Sequence, residues 1–132
     1  MSAKDVLKFL KDKEAEFVDL RFTDPRGKLQ HLTMDTTVVD EDMLNDGVFF
    51  DGSSIAGWKA INESDMILKP DTSRFFIDPF TSHNTAVLFC DILDAVKKTP
   101  YERDPRGVWC GSCSSRAWHS PAARAKCLCG VL

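Results

Sequence analysis

A chain of 132 residues has room for one domain of ordinary size and little more. Its formal net charge of −3 argues against a nucleic-acid partner, and no apolar run is long enough to cross a bilayer, so no membrane role is expected. The start, Met1-Ser2-Ala3-Lys4-Asp5, lacks the basic-then-apolar layout of a signal peptide, and the reading is cytoplasmic. Cysteine usage divides the chain. Cys90 stands alone until Cys110, whereas Cys110, Cys113, Cys127 and Cys129 crowd the end. A secreted disulfide framework would spread its cysteines through the fold.

Val6, Leu7, Phe9 and Leu10 recur at helical spacing, with Lys4, Lys8 and Lys11 largely off that stripe, which predicts a first helix. Ser2 followed by Asp5 has the spacing of a capping box. Val18, Leu20 and Phe22 then alternate with Asp19, Arg21 and Thr23, the period of a half-buried strand. Asp24-Pro25-Arg26-Gly27 is a turn, because Pro25 presets its φ and Gly27 relieves the exit. Lys28 to Met34 returns as a second strand, completing a hairpin, with Leu32 and Met34 on one face. Asp40 to Gly47 reads as a short capped helix with acids in its first turn and glycine beyond its end.

Val48-Phe49-Phe50 is a short strand, and Gly52 to Asp65 reads as a long loop of the kind that carries function. Strand signals resume as two separate runs, Met66-Ile67-Leu68 and Phe75-Phe76-Ile77. Ala86 to Leu93 is apolar on both faces and reads as a covered central strand. Tyr101 to Arg106 is charged and proline-bearing and reads as the start of a linker. Strands with two short helices define an α+β domain over residues 1–100, with linker at 101–108. His31 and His83 have no partner at ligand spacing and read as structural, and Cys90 reads as a small core residue.

Phe50-Asp51-Gly52-Ser53-Ser54-Ile55-Ala56-Gly57-Trp58, followed by Asn62-Glu63-Ser64-Asp65-Met66, resembles the amino-terminal signature of the bacterial class I glutamine synthetases. The blocks Phe17 to Asp24 with Gly27-Lys28, Leu68-Lys69-Pro70-Asp71, Ile77-Asp78-Pro79-Phe80 and Arg103-Asp104-Pro105-Arg106 resemble the same family in the same order. The resemblance covers residues 1–108. It implies a β-grasp (ubiquitin-like) fold and a parent ligase that joins ammonia to glutamate, using ATP and Mg2+ or Mn2+, through a γ-glutamyl phosphate. It also implies a homo-oligomer, a dodecamer of two stacked hexameric rings, with each active site between neighbouring subunits. The amino-terminal domain supplies one wall of the neighbour's site. Metal, nucleotide and most glutamate contacts belong to the large carboxy-terminal domain of the family, so this chain alone is expected to bind no cofactor and to be inactive.

By that resemblance Asp51 stands at the ammonium site of the adjacent subunit. A carboxylate there attracts the cation, accepts its hydrogen bonds and helps remove a proton before attack on the acyl phosphate. On residue chemistry alone, Asp51-Gly52 reads as a plain tight turn, and it is the family resemblance that reverses this. Ser54 matches a serine beside that aspartate, and orients the loop or a bound ion, or simply shapes an ST-turn. Asp65, a second acid at the far end of the loop, closes over the site or caps the strand after it. Trp58 packs on a neighbouring subunit or anchors its own loop. Gly52 and Gly57 form no phosphate-binding pattern. Two rival readings remain at this stage: a truncated subunit that joins or poisons intact rings, and a related ligase that joins glutamate to another amine.

Residues 109–132 depart from the family, which continues with a helix and then a strand bearing paired glutamates. Their Cys, Arg, Ser, Ala, Trp and Gly composition lacks apolar periodicity and reads as a shifted frame. The alternative is a zinc site, since Cys110, Cys113, His119, Cys127 and Cys129 offer enough thiolate and imidazole ligands for tetrahedral coordination.

Overall fold

Alternating apolar residues on the strands and a helical stripe at the start must bury against one another, and they do so as a single sheet with the first two helices packed on one face. The computed structural model describes residues 2–55 and 65–111, the last three by backbone alone. Helix α1 spans Ala3–Asp12, and α2 spans Glu41–Asp46. The strands are β1 Phe17–Thr23, β2 Leu29–Asp35, β3 Val48–Asp51, β4 Asp65–Ile77 and β5 Thr85–Asp94. Their order is β2-β1-β5-β4-β3. β1 and β5 run parallel at the centre, and the other pairs are antiparallel. A curled mixed sheet with few short helices is the expected β-grasp arrangement.

Local signals act where they stand in the sequence. The Ser2 amide donates to the Asp5 carboxylate at 2.7 Å, which satisfies one orphan donor at the start of α1. Asp40 caps α2 by accepting from the Met43 amide at 2.7 Å. At the hairpin, Asp24 accepts from the amides of Arg26 and Lys28, both at 2.9 Å, while Gly27 takes φ +82°. The core lies between the sheet and the helices. Val18, Leu20 and Phe22 of β1, Met66 and Leu68 of β4, and Ala86, Leu88, Cys90 and Ile92 of β5 meet Val6 and Leu10 of α1 and Leu44 of α2. β5 is buried almost throughout, as its two apolar faces require. β2 is an edge strand, and Leu32 beside Met34 stays 37% exposed.

Two expectations are corrected. The runs at Met66 and Phe75 belong to one strand, β4, whose register with β5 shifts between Pro70 and Phe75. Proline cannot donate to a ladder, and Asp71 binds back to the Ser73 amide at 3.0 Å, so the periodicity breaks locally while the strand continues. A third helix, α3, spans Pro105–Gly111 in addition to the two read from sequence. The stretch before it packs on the domain: Tyr101 is buried, and Asp104 is 1% exposed.

Candidate functional site

Asp51 ends β3, and the side-chain alternation of that strand decides where it points. Val48 and Phe50 turn toward the core, where Phe50 lies 5.4 Å from the Phe22 ring. Phe49 and Asp51 therefore face outward, and Phe49 is 66% exposed. Beyond Asp51 the chain makes a 3-10 turn, Gly52–Ser54. Asp51 Oδ1 accepts from the Ser53 amide at 2.8 Å and from Ser53 Oγ at 2.7 Å. Ser54 Oγ donates to the Asp51 carbonyl at 2.7 Å. The first turn of the loop is thus tied to Asp51 by both serines, while buried Gly52 and half-buried Ile55 root it in the domain.

Asp65 opens β4 directly across the ladder from Asp51, as the last register pair of β3 and β4. Like charges directly opposite on a sheet repel, so a cation held between the two carboxylates would be stabilised by both. Trp58 and residues 56–64 lie outside the described residues, as do Cys113, His119, Cys127 and Cys129; Cys110 is placed by backbone alone. Among the described residues, no three His, Cys, Asp or Glu side chains come together as a metal site. Asp51 and Asp65 thus place two carboxylates on neighbouring strands at one end of the β3–β4 ladder.

Two further polar clusters lie on the sheet. Asp19 accepts from Arg21 Nε at 2.7 Å, from Thr33 Oγ1 at 2.8 Å and from His31 Nδ1 at 2.8 Å. Burial alone pushes the Asp19 carboxyl up, but the hydrogen bonds from Arg21, His31 and Thr33 outweigh it and hold the group below the usual carboxylate range. Arg21 also binds Asp78, which accepts from the Phe80 amide at 3.0 Å; those two contacts hold Asp78 low as well. In the second cluster, Arg106 of α3 reaches Asp71 of β4 and stands 3.2 Å from Asp91 of β5. His83 stands 3.4 Å from Glu16.

The family profile described as the glutamine synthetase β-grasp domain matches residues 14–95. The chain belongs to the glutamine synthetase family. It is 63% identical over 107 residues to the glutamine synthetase of Rhizobium meliloti, covering 81% of this chain and 23% of that protein. It is 59% identical over 107 residues to that of Bradyrhizobium diazoefficiens, with the same coverage of each. Among solved structures, the Plasmodium falciparum glutamine synthetase superposes with a TM-score of 0.75 at 23% identity, over 86% of this chain and 22% of that one, which supports the fold. The chain thus spans about a quarter of the length of the curated relatives it matches.

Within this glutamine synthetase domain, sequence reading singled out Asp51, Ser54 and Asp65, and the structure brings these three to one end of the β3–β4 ladder. It did not find the Asp19 or the Arg106 cluster. Asp19 and Arg21 sit at the polar positions of an alternating strand, which normally signals solvent, yet Asp19 is 4% exposed. Arg106 meets Asp71 and Asp91 only through tertiary packing, which no local spacing encodes. No candidate membrane-spanning helix occurs among the described residues.

Proposed function

We propose that this domain forms one wall of a glutamine synthetase active site completed by a neighbouring subunit, with Asp51 presented to the ammonium substrate. The observation that carries this reading is the placement of Asp51: it lies at the exposed end of β3, its loop is tied down by Ser53 and Ser54, and Asp65 faces it across the ladder. The Asp51 carboxylate attracts the ammonium ion, accepts its N–H groups and takes part in removing a proton. The nitrogen lone pair is then free to attack an activated γ-carboxyl. Ser53 holds the carboxylate through its amide and hydroxyl, and Ser54 fixes the backbone carbonyl of the same residue. Asp65 adds negative potential and favours the cation over neutral competitors. ATP, the divalent metals and most of the glutamate contacts fall to parts of the parent enzyme beyond this chain, and the assembly is a homo-oligomer in which subunits complete one another's sites.

The test is a chimera in which residues 1–108 of this chain replace the matching segment of the Rhizobium meliloti enzyme. The chimera is expected to form glutamine, and its Asp51→Asn version to lose at least about tenfold in kcat/KM for ammonium, the scale on which removing a positioned acid–base group acts. Unchanged ammonium kinetics in the Asp51→Asn chimera would sink the assignment. The 132-residue chain alone is expected to show no glutamate- and ATP-dependent glutamine formation.

A further inference from the structure

The sheet has two outer strands, β2 and β3, and they are built differently. β3 has four residues and runs straight into the 3-10 turn at Gly52. β2 has seven residues in unbroken register with β1, with no proline, lysine or bulge along it. Those are the devices that normally keep a sheet edge from pairing with another chain. Two of its leucines also reach solvent, Leu29 at 51% and Leu32 at 37% exposure.

The direction of the β2 backbone groups follows from hydrogen bonds at the ends of the hairpin. The Asp24 amide donates to the Lys28 carbonyl at 2.9 Å, and the Thr36 amide donates to the Glu16 carbonyl at 3.1 Å. Both pairs continue the β1–β2 register, and antiparallel pairs alternate between exchanging main-chain bonds and not doing so. Gln30, Leu32 and Met34 therefore bond to β1. The Phe17 amide of β1 agrees with this parity, since it donates to the Asn84 carbonyl on the β5 side. Leu29, His31, Thr33 and Asp35 direct their amides and carbonyls away from β1, and among the described residues no strand takes them up.

We propose that the outer edge of β2 is a docking site for a second copy of this chain, the two β2 strands pairing antiparallel about a two-fold axis at Thr33. Backbone parity admits only registers in which these outward residues face one another. With the axis at Thr33, His31 faces Asp35 of the second copy, Leu32 faces Met34, and Thr33 faces Thr33. Opposite charges, apolar neighbours and paired threonines are the favourable cross-strand combinations. An axis at Leu32 would instead set Asp35 against Leu29 and Met34 against Gln30. An axis at His31 would set imidazole against imidazole and Leu32 against Gln30. The His31 ring is already oriented for the first arrangement, with Nδ1 at 2.8 Å from Asp19 and the side chain 64% exposed. The same patch meets itself, so the contact closes as a dimer. Main-chain bonds supply the attachment and the side-chain pairs select the partner, as in other strand additions. β2 and β3 stand at opposite edges, so this pairing leaves Asp51 untouched and does not depend on the role proposed for it.

Sedimentation equilibrium tests this on the whole chain, kept reduced so that no disulfide joins two copies. The mass is expected to double as concentration rises. Thr33→Pro removes the amide at the axis but no bond of the β1 ladder, and proline is tolerated at such outward positions. That variant is expected to keep its circular dichroism and to stay monomeric. In the native chain, amide exchange at His31, Thr33 and Asp35 is expected to slow with rising concentration, while Leu32 and Met34 stay protected throughout. In a mixture of labelled and unlabelled chain, isotope-filtered NMR is expected to show the Leu32 α-proton of one copy against the Met34 α-proton of the other. A mass that never rises above the monomer overturns the proposal, as does a dimer that survives in folded Thr33→Pro. Outward amides protected at every concentration would mean that another segment of the same chain covers the edge, and would overturn it too. Should Thr33→Pro fail to fold, the isotope-filtered contact decides: its presence supports the pairing, and a native dimer without it refutes the pairing.

Discussion

Replacing Gly47 with alanine attacks the entry to β3, and through it the placement of Asp51. Gly47 has φ +90° and ψ 179°, a region that L-residues almost never occupy. A Cβ there would stand 2.5 Å from Ile67 Cγ2 and 2.6 Å from the Leu68 carbonyl oxygen. The carbonyl cannot retreat, since Leu68 pairs with Val48 in the β3–β4 ladder. Backbone strain of about 1–3 kcal/mol and overpacking of about 1–3 kcal/mol add to roughly 2–6 kcal/mol. That is a large part of the roughly 5–15 kcal/mol holding a domain of this size. Gly27 supplies the control: its φ is +82°, but nothing lies within 4 Å of its added Cβ. Gly27→Ala therefore carries only the conformational cost, about 1–2 kcal/mol. Urea titrations followed by far-ultraviolet circular dichroism measure both. If Gly47→Ala loses no more stability than Gly27→Ala, the steric reasoning is wrong.

Leu88 lies at 0% exposure in the middle of β5, so Leu88→Ala is expected to cost about 2–5 kcal/mol in the same urea titration. Arg106→Met removes the guanidinium from the buried Asp71 carboxylate and is expected to cost about 3–5 kcal/mol; adding Asp71→Asn should recover part of that loss, and strict additivity would show that the pair is not coupled. Thermal melts against pH should show a maximum. Asp19 and Asp71 are held below their ordinary value of 3.8, so their contribution is present above that value and is lost as pH falls through their lower folded values. Asp104 works the other way and adds stability as pH drops through about 6. The melting temperature should therefore rise from neutrality toward about pH 5 and fall below about pH 4, whereas a steady decline from neutrality would contradict the balance of these groups.

Much of the sheet was legible because its signals are local. The alternation in Val18 to Thr23 and the Asp24-Pro25-Arg26-Gly27 turn specify a hairpin without help from the rest of the chain. The continuity of β4 was not legible. Pro70 and the Asp71–Ser73 turn remove the period-two pattern, and only pairing with β5 carries the strand across that gap. Alternation also tells which residues leave the core, but not whether other polar groups then cover them. Asp19 looked solvated for that reason and is enclosed by Arg21, His31 and Thr33. Asp51 presents the opposite case: nothing physical in Asp51-Gly52 distinguishes a site from a turn, and the role proposed for it comes only through likeness to a family.

The parallel pairing of β1 with β5 has a consequence for how the chain comes to be folded. β5 enters the sheet last in sequence yet lies in its middle, with Phe17 beside Thr85 on one side and Leu68 beside Ile92 on the other. Until β5 arrives during synthesis, the amino-terminal hairpin and the β3–β4 pair are two ribbons with no shared ladder. Each then exposes a bare inner edge, and neither ribbon is stable alone in water. Nascent chains that stall before Asp94 should accordingly be substrates for chaperones or proteases, and the domain should commit to its fold in one late, slow step governed by non-local contacts.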